Sequence, residues 1–123
     1  MSNNKRKSNN KFYFKTLCTI KVNELDYEVI EESDGEHVGI GTEDDLDAAT
    51  LGLCDNLNDR IYVYHNMKRS NKRRTLAHEL AHAYVYAAFC RKEEYTEEEM
   101  CNFIESYVFD IVDIVNEVYP INN

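Results

Sequence analysis

The spacing of apolar residues changes near the middle of this chain, and that change limits the folds open to it. Residues 12–30 are rich in β-branched and aromatic side chains, with a polar interruption at 23–26, the pattern of a hairpin. The segments TLGLCD and RIYVYH, separated by turn-forming residues, read as a second hairpin. Between the two, residues 31–47 are mostly acidic and carry Gly35, Gly39 and Gly41, which predicts a loop around at most a short strand at 37–40. Beyond this point the period becomes helical. Leu76, Leu80, Ala83, Tyr84 and Ala87 recur at helical spacing, and so do Cys101, Ile104, Val108, Ile111, Val115 and Val118. Thr96 with Glu99 three residues later is a capping box that starts the second helix. The pattern predicts an α+β domain: a small antiparallel sheet of two hairpins, three to four strands in all, packed with two long helices.

A chain of 123 residues, 43% of them hydrophobic, can bury one compact core, so a single domain is expected over residues 12–123. Residues 1–11 have nothing apolar after Met1 and are expected to form a disordered basic tail. The formal net charge of -9 argues against wholesale nucleic-acid binding. Basic residues nonetheless cluster twice, at Lys5, Arg6, Lys7 and Lys11 and in the run KRSNKRR at 68–74. Neither a signal-peptide core nor a membrane-spanning apolar run occurs, which points to a cytoplasmic protein with no membrane partner. Cys18, Cys54, Cys90 and Cys101 form no CxxC pair and are expected to be small buried hydrophobes.

The chemistry-bearing stretch is TLAHELAHAYVY. On a helix His78 and His82 lie one turn apart on one face and can share a metal ion, with Glu79 beside them. In the HExxH arrangement two histidines hold zinc, the metal acidifies a water molecule, and the glutamate takes the proton. The competing reading is a solvated helix face that merely carries His, Glu and His. Apolar flanks at Leu76, Leu80, Ala81, Ala83, Val85, Ala87 and Ala88 argue for a helix buried on most sides, where ionisable groups need partners. A catalytic zinc site needs a third protein ligand. The metzincin continuation would require Gly at 85 and His at 88, where this chain has Val85 and Ala88. The remaining source is the acidic start of the second helix. If the seam through Cys101, Ile104 and Val108 packs on the first helix, Glu97 and Glu98 flank it, while Glu99 is occupied in the capping box.

TLAHELAHA, followed after a short gap by EEMCNF, resembles the ImmA/IrrE group of zinc metallopeptidases, whose HExxH helix precedes a helix carrying E-x-x-[AC]-N. The segment LGLCDNLNDRIYVYH also resembles the strand pair before the active helix in short members from phages and mobile elements of bacteria. The similarity covers residues 15–118, and the combination of the two motifs is far more specific than HExxH alone. The resemblance implies a zincin-like active helix with His78, His82 and Glu98 as ligands of Zn2+, Cys101 and Asn102 completing the second motif, and Glu79 as general base. It also implies regulated, site-specific proteolysis of a protein substrate in the bacterial cytoplasm, often a repressor encoded nearby. Longer members carry regulatory or DNA-binding regions for which this chain has no room.

A peptidase also needs a group to hold the tetrahedral oxyanion. His65, Tyr62, Tyr64, Tyr84, Tyr86 and Tyr107 are candidates among the nine tyrosines and four histidines. HExxH peptidases in general add substrate backbone to an edge strand beside the active helix, which nominates Ile61, Tyr62, Val63, Tyr64 and His65 as substrate-binding residues. The alternatives from other classes are a proteolytically idle zinc-containing module that recognises a phage, plasmid or host-defence regulator, and a nucleic-acid-associated protein that uses the basic patches. Glu79 favours the peptidase, because a structural zinc site has no need of a base.

Overall fold

The computed structural model describes residues 12–39, 50–88 and 92–121. The expected tail at 1–11, most of the acidic stretch and Cys90 lie outside the described residues.

Four strands precede two helices. Strand β1 (Tyr13–Val22) turns into β2 (Leu25–Ser33) through Asn23 and Glu24, both at positive φ, 47° and 75°. Two consecutive left-handed residues match the right-handed twist of the flanking strands, which is why so short a link suffices. Strand β3 (Gly52–Asp55) turns into β4 (Arg60–Tyr64) over four residues. Asp55 closes that turn by accepting from the backbone N–H groups of Leu57 and Asn58, each at 3.1 Å, and from the Asn58 amide at 2.9 Å.

Both hairpins are present, yet the sheet is mixed and not wholly antiparallel as the sequence suggested. The strand order is β1-β2-β4-β3, and β2 pairs with β4 in parallel, Val29 opposite Ile61 and Glu31 opposite Val63. The apolar content of the strands explains the order. Val29 and Ile30 of β2 and Ile61, Tyr62 and Val63 of β4 are buried on both faces of the sheet, and such strands belong in its middle. The more exposed β1 and the short β3 are left at the edges.

Val29, Ile61 and Val63 face the helices and join Leu76, Leu80, Ala83, Ile111 and Val115 in the main core. Ile30 and Tyr62 face the other way and are covered by Val38. Strand β2 runs three residues into the stretch read as loop, and Glu31, Glu32 and Ser33 are all buried. Residues 37–39, by contrast, form no strand. The acidic strand end is stable because both carboxylates are satisfied. Glu32 accepts from the backbone N–H of His37 at 2.8 Å and of Val38 at 3.3 Å, and its Oε1 pairs with His37 Nδ1 at 2.8 Å. Glu31 accepts from Tyr119 Oη–H at 2.6 Å and Lys72 Nζ at 2.9 Å, and pairs with His65 Nδ1 at 2.7 Å. Burial raises the Glu31 pKa, but the bonds from Tyr119, His65 and Lys72 outweigh it and hold the carboxyl below its ordinary value.

Helix α1 (Arg69–Ala88) packs on the sheet, and α2 (Glu97–Val118) packs on both. The capping box is present: Thr96 Oγ1 accepts from Glu99 N–H at 3.0 Å, and Glu99 Oε1 accepts from Thr96 N–H at 2.9 Å. The contact face of α2 keeps Ile111, Val115 and Val118 of the expected seam and departs from it in the N-terminal half. Phe103, Tyr107, Ile111, Ile114, Val115 and Val118 meet the core, whereas Cys101 and Ile104 are exposed. Aromatic stacking decides this, with the Tyr107 ring 4.8 Å from that of Tyr84 on α1. Cys18 and Cys54 are half-buried and exposed Cys101 departs from the expectation. No described helix is long and apolar enough to cross a membrane.

Candidate active site

Helix α1 is buried along one stripe, Leu76, Glu79, Leu80, Ala83 and Tyr84, and not on most sides as its apolar flanks suggested. His78 follows Leu76, and His82 follows Leu80, by two residues, about 200° round the helix. Both imidazoles therefore leave the face opposite the core and are exposed. Their rings stand edge to face with centroids 4.9 Å apart, so the predicted pairing across one turn is present on an accessible surface.

Glu79 lies between that exposed ridge and the core, 6% exposed. Burial raises its pKa, and the nearby His78 charge partly offsets the rise. A carboxylate whose proton affinity is raised by desolvation suits a general base. The side chain runs along edge strand β3: a Cβ built on Gly52 would stand 2.8 Å from Glu79 Oε2 and 2.9 Å from its Cγ. An open cleft of about 380 Å³ follows this contact, lined by Leu51, Gly52, Arg74, Thr75, His78 and Glu79.

Glu98 sits in the first turn of α2 and is exposed. Tyr107, which faces α1, follows it by about two and a half helical turns, so the two residues leave opposite sides of α2. Among the described residues no three His, Cys, Asp or Glu side chains are gathered closely enough to hold a metal ion. The histidine pair fits half of a zinc site in donor chemistry, spacing and access, while Glu98, the expected third donor, is not brought to it.

The substrate-binding expectation at Ile61, Tyr62, Val63, Tyr64 and His65 needs correction. Strand β4 is paired with β2 on one side and β3 on the other, so its backbone has no edge to offer. Its side chains are committed as well: Ile61, Tyr62 and Val63 are buried, and Tyr64 packs on Gly39. His65 pairs with Glu31 and stacks on Tyr13 at 3.6 Å. The edge beside α1 belongs to β3. None of the oxyanion candidates lines the cleft: Tyr62 stacks on His37, Tyr84 on Tyr107, and Tyr86 is exposed and not among the lining residues.

Sequence reasoning missed Gly52, Arg74 and Thr75. A glycine inside TLGLCD was a signal of close backbone approach, and Arg74 precedes His78 by four residues on the same helical ridge. Comparisons of the chain with protein-family models, curated proteins and solved structures find no match.

Proposed function

We propose that the chain is a zinc-dependent metallopeptidase that cuts a specific regulatory protein, repressor-like in kind, in the cytoplasm of a bacterial cell. The observation that carries this reading is the position of Glu79, buried where the His78–His82 helix meets the edge strand β3 and open to the cleft between them. His78 and His82 would hold the metal, with Glu98 joining from the acidic turn of α2. Zinc bound there supplies Lewis acidity toward a peptide carbonyl and toward water. The chain's own residues do the rest. An extended substrate would lie along β3 and hydrogen-bond to its outer edge, which no described strand pairs, and this fixes the scissile carbonyl in front of Glu79. Glu79 would then accept the proton of the attacking water and return it to the departing amine.

A second reading is favoured by one observation, the exposure of Glu98 away from the histidine pair. It is a binding module that recognises a phage, plasmid or host-defence regulator at the same cleft without cutting it. Metal analysis of the purified protein beside Glu79→Gln, each incubated with candidate repressors, separates the two. Zinc-dependent cleavage lost in Glu79→Gln supports the peptidase, and unaltered repressors with unaltered binding oppose it.

A further inference from the structure

The basic run at 68–74 is not one surface. Arg69 Nη1 donates to the Pro120 carbonyl at 3.0 Å, and Arg73 donates to the Tyr119 carbonyl and, at 2.8 Å, to Asn116 Oδ1. Both guanidinium groups thus serve the C-terminal end of α2, where carbonyls lack helical partners and the dipole is negative. Lys72 is spent on buried Glu31. Arg74 differs from these three. It is exposed, it lines the cleft beside Gly52, Thr75, His78 and Glu79, and no ion pair or hydrogen bond engages it among the described residues.

We infer that Arg74 is a substrate-recognition residue that takes a carboxylate of the bound peptide, from an Asp or Glu side chain or from a free C-terminus. The inference rests on the peptidase reading of the same cleft. A guanidinium is a rigid fork of donors that matches a carboxylate bidentately, and with no partner among the described residues that of Arg74 is available to one at the cleft wall. Position sets where that carboxylate stands. Arg74 lies one turn from His78, roughly 5–6 Å between Cβ atoms, and an extended chain advances about 3.3 Å per residue. The recognised carboxylate therefore stands within about two residues of the carbonyl facing His78 and Glu79. The chain's net charge of -9 repels acidic peptides at long range, so Arg74 confers position-specific choice and not general attraction.

The test uses zinc-loaded Glu79→Gln protein, which holds peptide without cutting it, and a mixture of short random peptides in free-acid and C-terminally amidated arms. Bound peptides are sequenced by mass spectrometry, with Arg74→Ala and Arg74→Glu versions measured alongside. The expected result is enrichment of Asp and Glu at one position by about tenfold or more, its loss in Arg74→Ala, and Lys or Arg enriched at that position in Arg74→Glu. Enrichment confined to the free-acid arm assigns the C-terminal carboxylate, and enrichment in both arms assigns the side chain. The inference is overturned if neither arm shows carboxylate preference, or if the preference survives Arg74→Ala. Wild-type cleavage of the mixture keeps the two ideas apart. Cleavage with no Arg74-dependent preference removes the inference and leaves the peptidase, while Arg74-dependent selection without zinc-dependent cleavage does the reverse.

Discussion

Gly52 and Glu79 touch where any other residue at position 52 would collide. A Cβ there would stand 2.8 Å from the Glu79 carboxylate oxygen and 2.5 Å from Thr75 Cγ2. A glycine weakens a strand and gives it no side chain to pack, so its presence in an edge strand calls for a local reason. The reason is close approach: the absent side chain lets β3 lie against α1 and leaves the Glu79 carboxylate beside that strand.

Gly52→Ala is therefore expected to act on catalysis through Glu79 as well as on stability. The Thr75 methyl and the Glu79 stem must both give way, an overpacking cost of about 1–3 kcal/mol, and the carboxylate is pushed along the cleft. Thermal unfolding should fall by several degrees, and kcat should drop while zinc content is unchanged. A variant that melts lower but cuts at the wild-type rate would show that Gly52 serves packing alone.

Zinc binding tests the ligand set directly. Purified protein should hold about one zinc per chain, and the His78→Ala, His82→Ala double variant should hold none. Glu98→Ala should weaken zinc affinity by a large factor, and Glu97→Ala should change little. Glu98 is exposed and unpaired with the histidines, so the measurement also reports whether the start of α2 rearranges around the metal. The reverse ranking of the two variants would shift the motif by one residue.

Glu31 predicts a pH dependence unrelated to the site. Its folded pKa is depressed, so its contribution to stability is full above the ordinary glutamate value of about 4.3 and is lost as pH falls through the lower folded value. Tyr119→Phe keeps the buried ring and removes one donor. It should cost about 1–3 kcal/mol near neutral pH and move the acid-unfolding midpoint upward, followed by far-UV circular dichroism. The difference from wild type should narrow as Glu31 protonates. Coincident midpoints would mean that the Tyr119 bond contributes nothing to the depressed pKa.

What the sequence disclosed was local. The hairpins, the capping box at Thr96 and Glu99, and the one-turn spacing of His78 and His82 depend on residues a few positions apart, and all were legible. What it hid was non-local. The parallel pairing of β2 with β4 places β3 at the edge and takes β4 out of reach, and no short window contains that register. Glu31 and Glu32 looked like loop because their partners, Tyr119, Lys72, His65 and His37, come from elsewhere in the chain. The basic run at 68–74 looked like one cluster because the α2 terminus that Arg69 and Arg73 serve lies more than forty residues away. The N-terminal half of the seam on α2 was misjudged because only aliphatic residues and Cys101 were followed there, whereas Phe103 and Tyr107 set the contact; Ile111, Val115 and Val118 were legible.

The substitution that decides what the cleft is for is Glu79→Gln. Glutamine has nearly the same shape and removes the charge whose burial is unfavourable, so the fold should be kept and stability should not fall. Zinc should also stay, because the proposed ligands are untouched. The base is gone, however, so a peptidase should lose cleavage by several orders of magnitude while still binding its protein target along β3. A binding module would behave otherwise, since its effect depends on the shape of the cleft and not on proton transfer. Wild type and Glu79→Gln should therefore differ sharply in a cellular assay of the regulated pathway at equal protein levels. If the two prove indistinguishable there, proteolysis is not what the cleft does.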